Sequence, residues 1–212
     1  MNIYQDFRTH SGRPTHKWLH YFPIYERHFA AWRNRTLTVW EIGVFRGGSL
    51  ELWANYFGPM TTVVGIDTDP ASAVPMGPNI HVRTGSQTDT AFLSTLIDEF
   101  GPPDIVIDDG SHRGEDIRAT FQYLYPRISK NGIYLVEDTH TAYWPEFGDT
   151  DNSFITSAKR MIDQLNADHS RGATEPNFIT RQTLGISFYD SVVVFERGNI
   201  PIKTPFASGA QV

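Results

Sequence analysis

The chain has 212 residues, enough for one domain with a full hydrophobic core. Hydrophobic residues make up 40% and charged residues 20%, a globular composition, and a net charge of −6 without any run of Lys/Arg excludes a broad nucleic-acid-binding face. There is no cysteine, which removes disulfides, thiol nucleophiles and Cys-based zinc sites and leaves any metal site to Asp, Glu and His.

Residues 1–14 show no clear period and read as a loose arm. No signal-peptide core and no stretch of ~20 apolar residues is present, so the protein reads as cytoplasmic and without a membrane span. From Thr15 to Trp32 the sequence is aromatic-rich and reads as a helical lid, broken or kinked at Pro23. Strand and helix patterns then alternate. Strands are predicted over 36–43, 61–67, 79–85, 104–110 and 132–138, and helices over 47–58, 89–101, 115–126 and 153–168. Residues 183–198 read as two strands around a tight Tyr-Asp-Ser turn. The pattern predicts a single domain, 1–212, of α/β class: a doubly wound, mostly parallel seven-stranded sheet with one antiparallel strand near the C-terminus. In such sheets ligands bind at the carboxyl ends of the strands, where strand order reverses.

The chemistry-bearing residues fall at those ends. In "VWEIGVFRGGSL", Glu41 and Gly43 close the first strand, and Gly47 and Gly48 open the next helix. Such glycines let a ligand approach the helix N-terminus, although the junction by itself occurs in many α/β proteins. The dinucleotide fingerprint fits only with Phe45 at its second glycine, where backbone must approach a pyrophosphate, so a dinucleotide is disfavoured. S-adenosylmethionine (SAM) has no pyrophosphate and escapes that objection. Asp67 ends the second strand and suits two ribose hydroxyls, or else a turn cap; Asp69, before Pro70, reads as an Asx-turn residue. Gln87 is placed for an adenine edge, and Asp89 reads as the N-cap of the following helix.

"VIDDGSHRGEDI" and "YLVEDTHTAYW" each end in carboxylates and a histidine. Neighbouring strands lie roughly 4.8 Å apart, so Asp109, Glu137 and Asp138 would converge, and packed carboxylates call for a hard cation such as Mg²⁺, Mn²⁺ or Ca²⁺. Because consecutive strand residues point to opposite faces, Glu137 and Asp138 share an ion only if the strand has already broken. By the same rule Asp108 and Asp109 divide their tasks, one toward cofactor or backbone, the other toward metal. His112 is suited to deprotonate a hydroxyl near neutral pH. His140 is a further candidate or a loop hydrogen-bonding residue. Tyr143, Trp144 and Phe147 form an aromatic wall for a sugar or apolar substrate, or pack under a lid.

"EIGVFRGGSLELW", "GIDTDP", "IDDGSH" and "VEDTHTAYW", in this order over roughly residues 15 to 165, resemble the metal-dependent class I SAM methyltransferases of sugar hydroxyls, among them the macrocin and mycinamicin O-methyltransferases. The resemblance implies Mg²⁺ (or Mn²⁺) on Asp109, Glu137 and Asp138, His112 as general base, and Glu41, Gly43 and Asp67 in the cofactor site, to which Gln87 and Asp108 are added from position. His140, Tyr143 and Trp144 are the substrate candidates. The chain departs from the general methyltransferase glycine pattern at Phe45 and is shorter than the macrolide enzymes. The expected activity is O-methylation of a sugar or glycoside, either an antibiotic sugar or an oligo- or polysaccharide such as a mannoside, by a homo-oligomer. The rivals are a catechol-type methyltransferase, an Fe(II) hydroxylase using His112 and His140, and a non-catalytic sugar-binding protein.

Overall fold

A computed structural model of the chain describes residues 2–148, 150–201 and 203–209. Seven strands form one sheet: β1 (Leu37–Ile42), β2 (Thr61–Asp67), β3 (Ile80–Thr84), β4 (Ile105–Asp108), β5 (Ile133–Val136), β6 (Thr183–Tyr189) and β7 (Val192–Arg197). Their order is β3-β2-β1-β4-β5-β7-β6. All pairings are parallel except those of β7, which runs antiparallel to both β5 and β6. Strand order therefore reverses between β1 and β4, the position at which doubly wound sheets open a ligand crevice.

Strand alternation sorts the core into two layers. Leu37, Val39, Ile105, Ile107, Ile133 and Leu135 face α1 (Ile3–Thr9), α2 (Phe22–Phe29) and α3 (Gly48–Phe57). Trp40, Ile42, Val106, Tyr134 and Val136 face α4 (Thr90–Phe100), α5 (Gly114–Leu124) and α6 (Phe154–Leu165). A short α7 (Phe178–Gln182) leads into β6.

Two local expectations are corrected. Residues 2–14 are not a loose arm: Asn2 and Gln5 form a reciprocal capping box that starts α1, and Ile3 is buried. Pro23 does not break a long helix. It sits in the first turn of α2, where its missing N–H costs nothing. Within the 15–32 segment, read above as a lid, Tyr21, Phe22, Tyr25 and Phe29 are core residues. Only Trp18 and Leu19 face outward as large apolar groups there, 45% and 64% exposed.

Candidate active site

The register Ile42–Asp108–Val136 aligns the ends of β1, β4 and β5. Gly43, Asp109 and Glu137 therefore form one row just beyond the sheet. Gly43, at φ +90°, is required: a Cβ there would lie 2.0 Å from the Asp109 carbonyl oxygen.

On the β1–β2 side of this row lies a cavity of about 200 Å³, whose lining includes Gly43, Asp67, Gln87, Gly110, Ser111 and Asp116. Asp67 is pre-oriented. Its Oδ2 accepts from the backbone N–H of Val44 at 2.8 Å and of Phe45 at 3.2 Å, and its Oδ1 from Asp69 N–H at 2.9 Å. Phe45 adopts φ +51° and turns its ring out to solvent, 69% exposed, which is how the loop tolerates a bulky residue in a glycine position. Gln87 lines the cavity, but its amide is engaged: Nε2 donates to Asp108 Oδ1 and Thr120 Oγ1, while Oε1 accepts from Ser111 N–H. Asp108 stands behind Gln87, 1% exposed, with Oδ2 accepting from the Tyr134 hydroxyl at 2.8 Å. Burial raises its pKa to about 7 against those stabilising donors. Asp108 thus braces Gln87 and is absent from the cavity lining.

The same alternation places Glu41, Asp109 and Glu137 on the α1–α3 side. Between them sits Lys17, a residue the sequence reading passed over. Its ammonium donates to Glu41 at 3.3 Å, Asp109 Oδ2 at 2.7 Å and Glu137 Oε2 at 2.9 Å. Burial alone would lower the Lys17 pKa, yet Asp109, Glu137, Tyr25 and Glu41 together hold it well above its usual value. Glu41 is fully buried and also accepts from Ser49 and Trp53, so it lies beneath the glycine loop rather than in the open cleft. Glu137 takes a further hydrogen bond from Tyr25 at 2.7 Å, and burial raises its pKa to about 8 despite Lys17.

Strand β5 ends at Val136, and Asp138 has φ +50°. That break answers the alternation objection: Asp138 turns toward α2, where Oδ1 accepts the Tyr21 hydroxyl at 2.5 Å. His112, also left-handed at φ +59°, brings Nε2 to 3.9 Å from Asp138 Oδ2. Asp109, His112 and Asp138 each offer a ligand atom, all within 4.8 Å of one another. Two anionic oxygens and one imidazole nitrogen suit a hard or borderline divalent cation. The structure thus brings His112 into the donor group and leaves Glu137 one step inward, on Lys17 and Tyr25.

At the mouth, His140 packs edge-on against Trp18 at 5.8 Å and Trp144 at 4.9 Å, and Phe147 lies 5.8 Å from the His112 ring. Tyr143 and Trp144 are 58% and 44% exposed. The His140 Nδ1 atom is buried and has no hydrogen-bond partner among the described residues. Trp18, Lys17, Tyr21, Tyr25 and Asp116 are the site residues that sequence reasoning missed. The spacing of Lys17, Tyr21 and Tyr25, four residues apart, was the available signal.

No family model matches the chain. It is 35% identical over 205 residues to mycinamicin VI 2''-O-methyltransferase of Micromonospora griseorubida, covering 87% of this chain and 50% of that protein. It is 36% identical over 202 residues to demethylmacrocin O-methyltransferase of Streptomyces fradiae, covering 87% and 51%. A solved structure of MycE methyltransferase in complex with Mg, SAH and mycinamycin VI superposes with a TM-score of 0.82 at 32% identity, over 97% of this chain and 57% of that one. The chain spans about half the length of the curated relatives it matches. Over that span it is similar in sequence to these O-methyltransferases, and it has the fold of MycE methyltransferase.

Proposed function

We propose that the chain is a SAM-dependent, divalent-metal-dependent O-methyltransferase acting on a hydroxyl of a sugar or glycoside. The observation that carries this reading is the convergence, at the β1/β4 switch point, of the Asp67 cavity with the Asp109 and Asp138 carboxylates and the His112 imidazole beside them. The relatives are named O-methyltransferases, one of them of a rhamnosyl tetracenomycin, and the MycE structure holds Mg and SAH, SAH being demethylated SAM.

In this reading Asp67 takes the ribose hydroxyls, while Gly43 and Gln87 wall the nucleoside and Asp108 braces Gln87. Asp109 and Asp138, with Glu137 behind them, would hold Mg²⁺ or Mn²⁺, and the His112 imidazole beside them stays off the ion. Held there, such an ion would act as a Lewis acid that orients the acceptor and lowers the pKa of the reacting hydroxyl. His112 takes the hydroxyl proton as the oxygen attacks the methyl carbon, and the carbon–sulfur bond breaks with its electrons returning to sulfur. Trp18, His140, Tyr143 and Trp144 present aromatic surface to the C–H face of the sugar. The rival hydroxylase would need two histidines on Fe(II). Among the described residues the donor group contains one.

The reading includes a cytoplasmic homo-oligomer acting on small glycosides or oligosaccharides. No helix among the described residues is long and apolar enough to cross a membrane. The edge strand β6 exposes Leu184 and Phe188, apolar surface of the kind a second copy covers.

The test is calorimetric titration of SAM into EDTA-treated protein with and without Mg²⁺, followed by transfer of labelled methyl to a panel of rhamnosides and mannosides. SAM binding with Mg²⁺-dependent labelling of a glycoside supports the proposal. Failure to bind SAM in either condition overturns it.

A further inference from the structure

Lys17 takes no part in the transfer just described, yet it is the most costly side chain in the site to bury. An ammonium carried out of water needs full compensation, and here three carboxylates supply it. They come from three strand ends: Glu41 of β1, Asp109 after β4 and Glu137 after β5, at 3.3, 2.7 and 2.9 Å. The Lys17 side chain is 3% exposed and the Trp53 ring lies 6.0 Å away, so the ammonium is shielded from solvent. Its contact with Asp109 uses Oδ2, and exposure grades the cluster: the Lys17 and Glu137 side chains are buried, whereas those of Asp109, His112 and Asp138 stay partly exposed.

We propose that Lys17 is a built-in cation and a positioning residue: it fills the inner part of the carboxylate cluster, fixes Asp109 and Glu137, and limits the centre to a single divalent ion beside His112. This rests on the metal-dependent reading above. An ammonium is a suitable occupant because it offers three donors and cannot be lost to chelation. Asp109 then serves two cations at once, a covalently tethered one within and an exchangeable one without. The arrangement also makes the N-terminal segment part of the centre rather than a cover for it.

The experiment compares the full chain with Lys17→Ala and Lys17→Met, using Mn²⁺ as the probe. Bound ions are counted by electron paramagnetic resonance, and SAM affinity is measured in parallel as a check on the fold. Loss of a positive charge a few ångströms from the ion opens the inner position to a cation. Either variant should therefore bind Mn²⁺ at least about tenfold more tightly, or take up a second equivalent. SAM affinity should stay within about twofold, because the Asp67 cavity lies apart from Lys17. Methylammonium, which returns an ammonium to the space left in Lys17→Ala, should restore the parental stoichiometry, and tetramethylammonium, with no N–H donor, should not. Turnover of both variants should fall although the ion is held more tightly, a split that a merely structural lysine would not produce.

Parental or weaker Mn²⁺ binding by variants that still bind SAM would overturn the proposal. If Lys17→Ala does not fold, Lys17→Met, which keeps the apolar stem, decides the matter by the same measurement. Should the parent protein bind no Mn²⁺, the metal-dependent reading itself fails. A variant that then gains a Mn²⁺ site supports the built-in cation, and a variant that gains none overturns it.

Discussion

Glu137 and Asp138 are consecutive in the chain, yet their carboxylates accept from different tyrosines: Tyr25 reaches Glu137 at 2.7 Å and Tyr21 reaches Asp138 at 2.5 Å. The left-handed Asp138 backbone makes this possible by turning the second acid back onto the face of the first. The two hydroxyls should therefore do separate work. Tyr21→Phe frees the outer acid and is expected to weaken Mn²⁺ binding about 10- to 100-fold, the usual effect of losing a group that orients a metal ligand. Tyr25→Phe leaves the buried Glu137 short of a donor and should cost about 1.5–3 kcal/mol of stability. Metal titration and urea denaturation of both variants test the division, and identical profiles would refute it.

Asp109→Ala and Asp138→Ala remove donors outright. Each is expected to lower metal-dependent turnover more than about 100-fold, beyond the effect of losing an orienting group. SAM affinity should change by less than about threefold, because Asp67 is held by backbone N–H groups of its own loop. Turnover that survives in either variant, or in parent protein stripped of metal, would remove the metal from the mechanism.

Most of the framework was legible because it depends on local pattern. The strand expected over 61–67 is β2, and the tight turn expected at Tyr-Asp-Ser separates β6 from β7. The carboxylates at the ends of β4 and β5 were visible as abrupt changes from β-branched residues to acids. What escaped was long-range. Lys17 is a single lysine in a segment read as a lid, and it meets Asp109 and Glu137 across 92 and 120 residues of chain. Helix α1 escaped because its signal is a capping box rather than an apolar period, and α7 because it has only five residues. Alternation did separate Asp108 from Asp109, but it could not say that Asp108 would be spent on Gln87 and Tyr134.

His28 joins α2 to the C-terminal hairpin. Its Nε2 lies 2.9 Å from the Tyr189 hydroxyl and its Nδ1 3.7 Å from Glu196. Burial lowers its pKa, outweighing the opposing pull of Glu196. A histidine lowered in the folded state takes up its proton more readily when unfolded, so this group costs stability as pH falls below the unfolded value of ~6.5. The denaturation midpoint of the parent should drop between pH 7 and 5 by more than that of His28→Gln. Parallel pH profiles for the two proteins would exclude His28 as a source of acid sensitivity.

Gly43 holds β1 against β4 at the point where cofactor and metal positions meet. A Cβ there would lie 2.0 Å from backbone, which cannot rotate away as a side chain would, and the φ of +90° adds strain for any L residue. Gly43→Ala is expected to cost about 3 kcal/mol or more, at the upper end for single substitutions. It should also displace Asp109, so Mn²⁺ affinity and urea midpoint should fall together. A variant as stable as the parent would mean that the β1 and β4 ends are free to separate.

Trp18 and Trp144 flank His140 edge-on from two segments far apart in sequence, and both stay about half exposed beside the donor group. In the proposed function these exposed indoles take the C–H face of a pyranose. An aromatic contact of this kind contributes about 0.5–1.5 kcal/mol beyond the area it buries, or about two- to tenfold in affinity. Trp18→Ala and Trp144→Ala should each raise the glycoside KM by about that factor while changing kcat little, because the proposed role of both is to hold the sugar and not to move a proton or the methyl group. Removing both should lower affinity by more than either alone and quench the fluorescence change that glycoside binding produces in the parent. An unchanged KM in the double variant would place the acceptor on another face of the cluster.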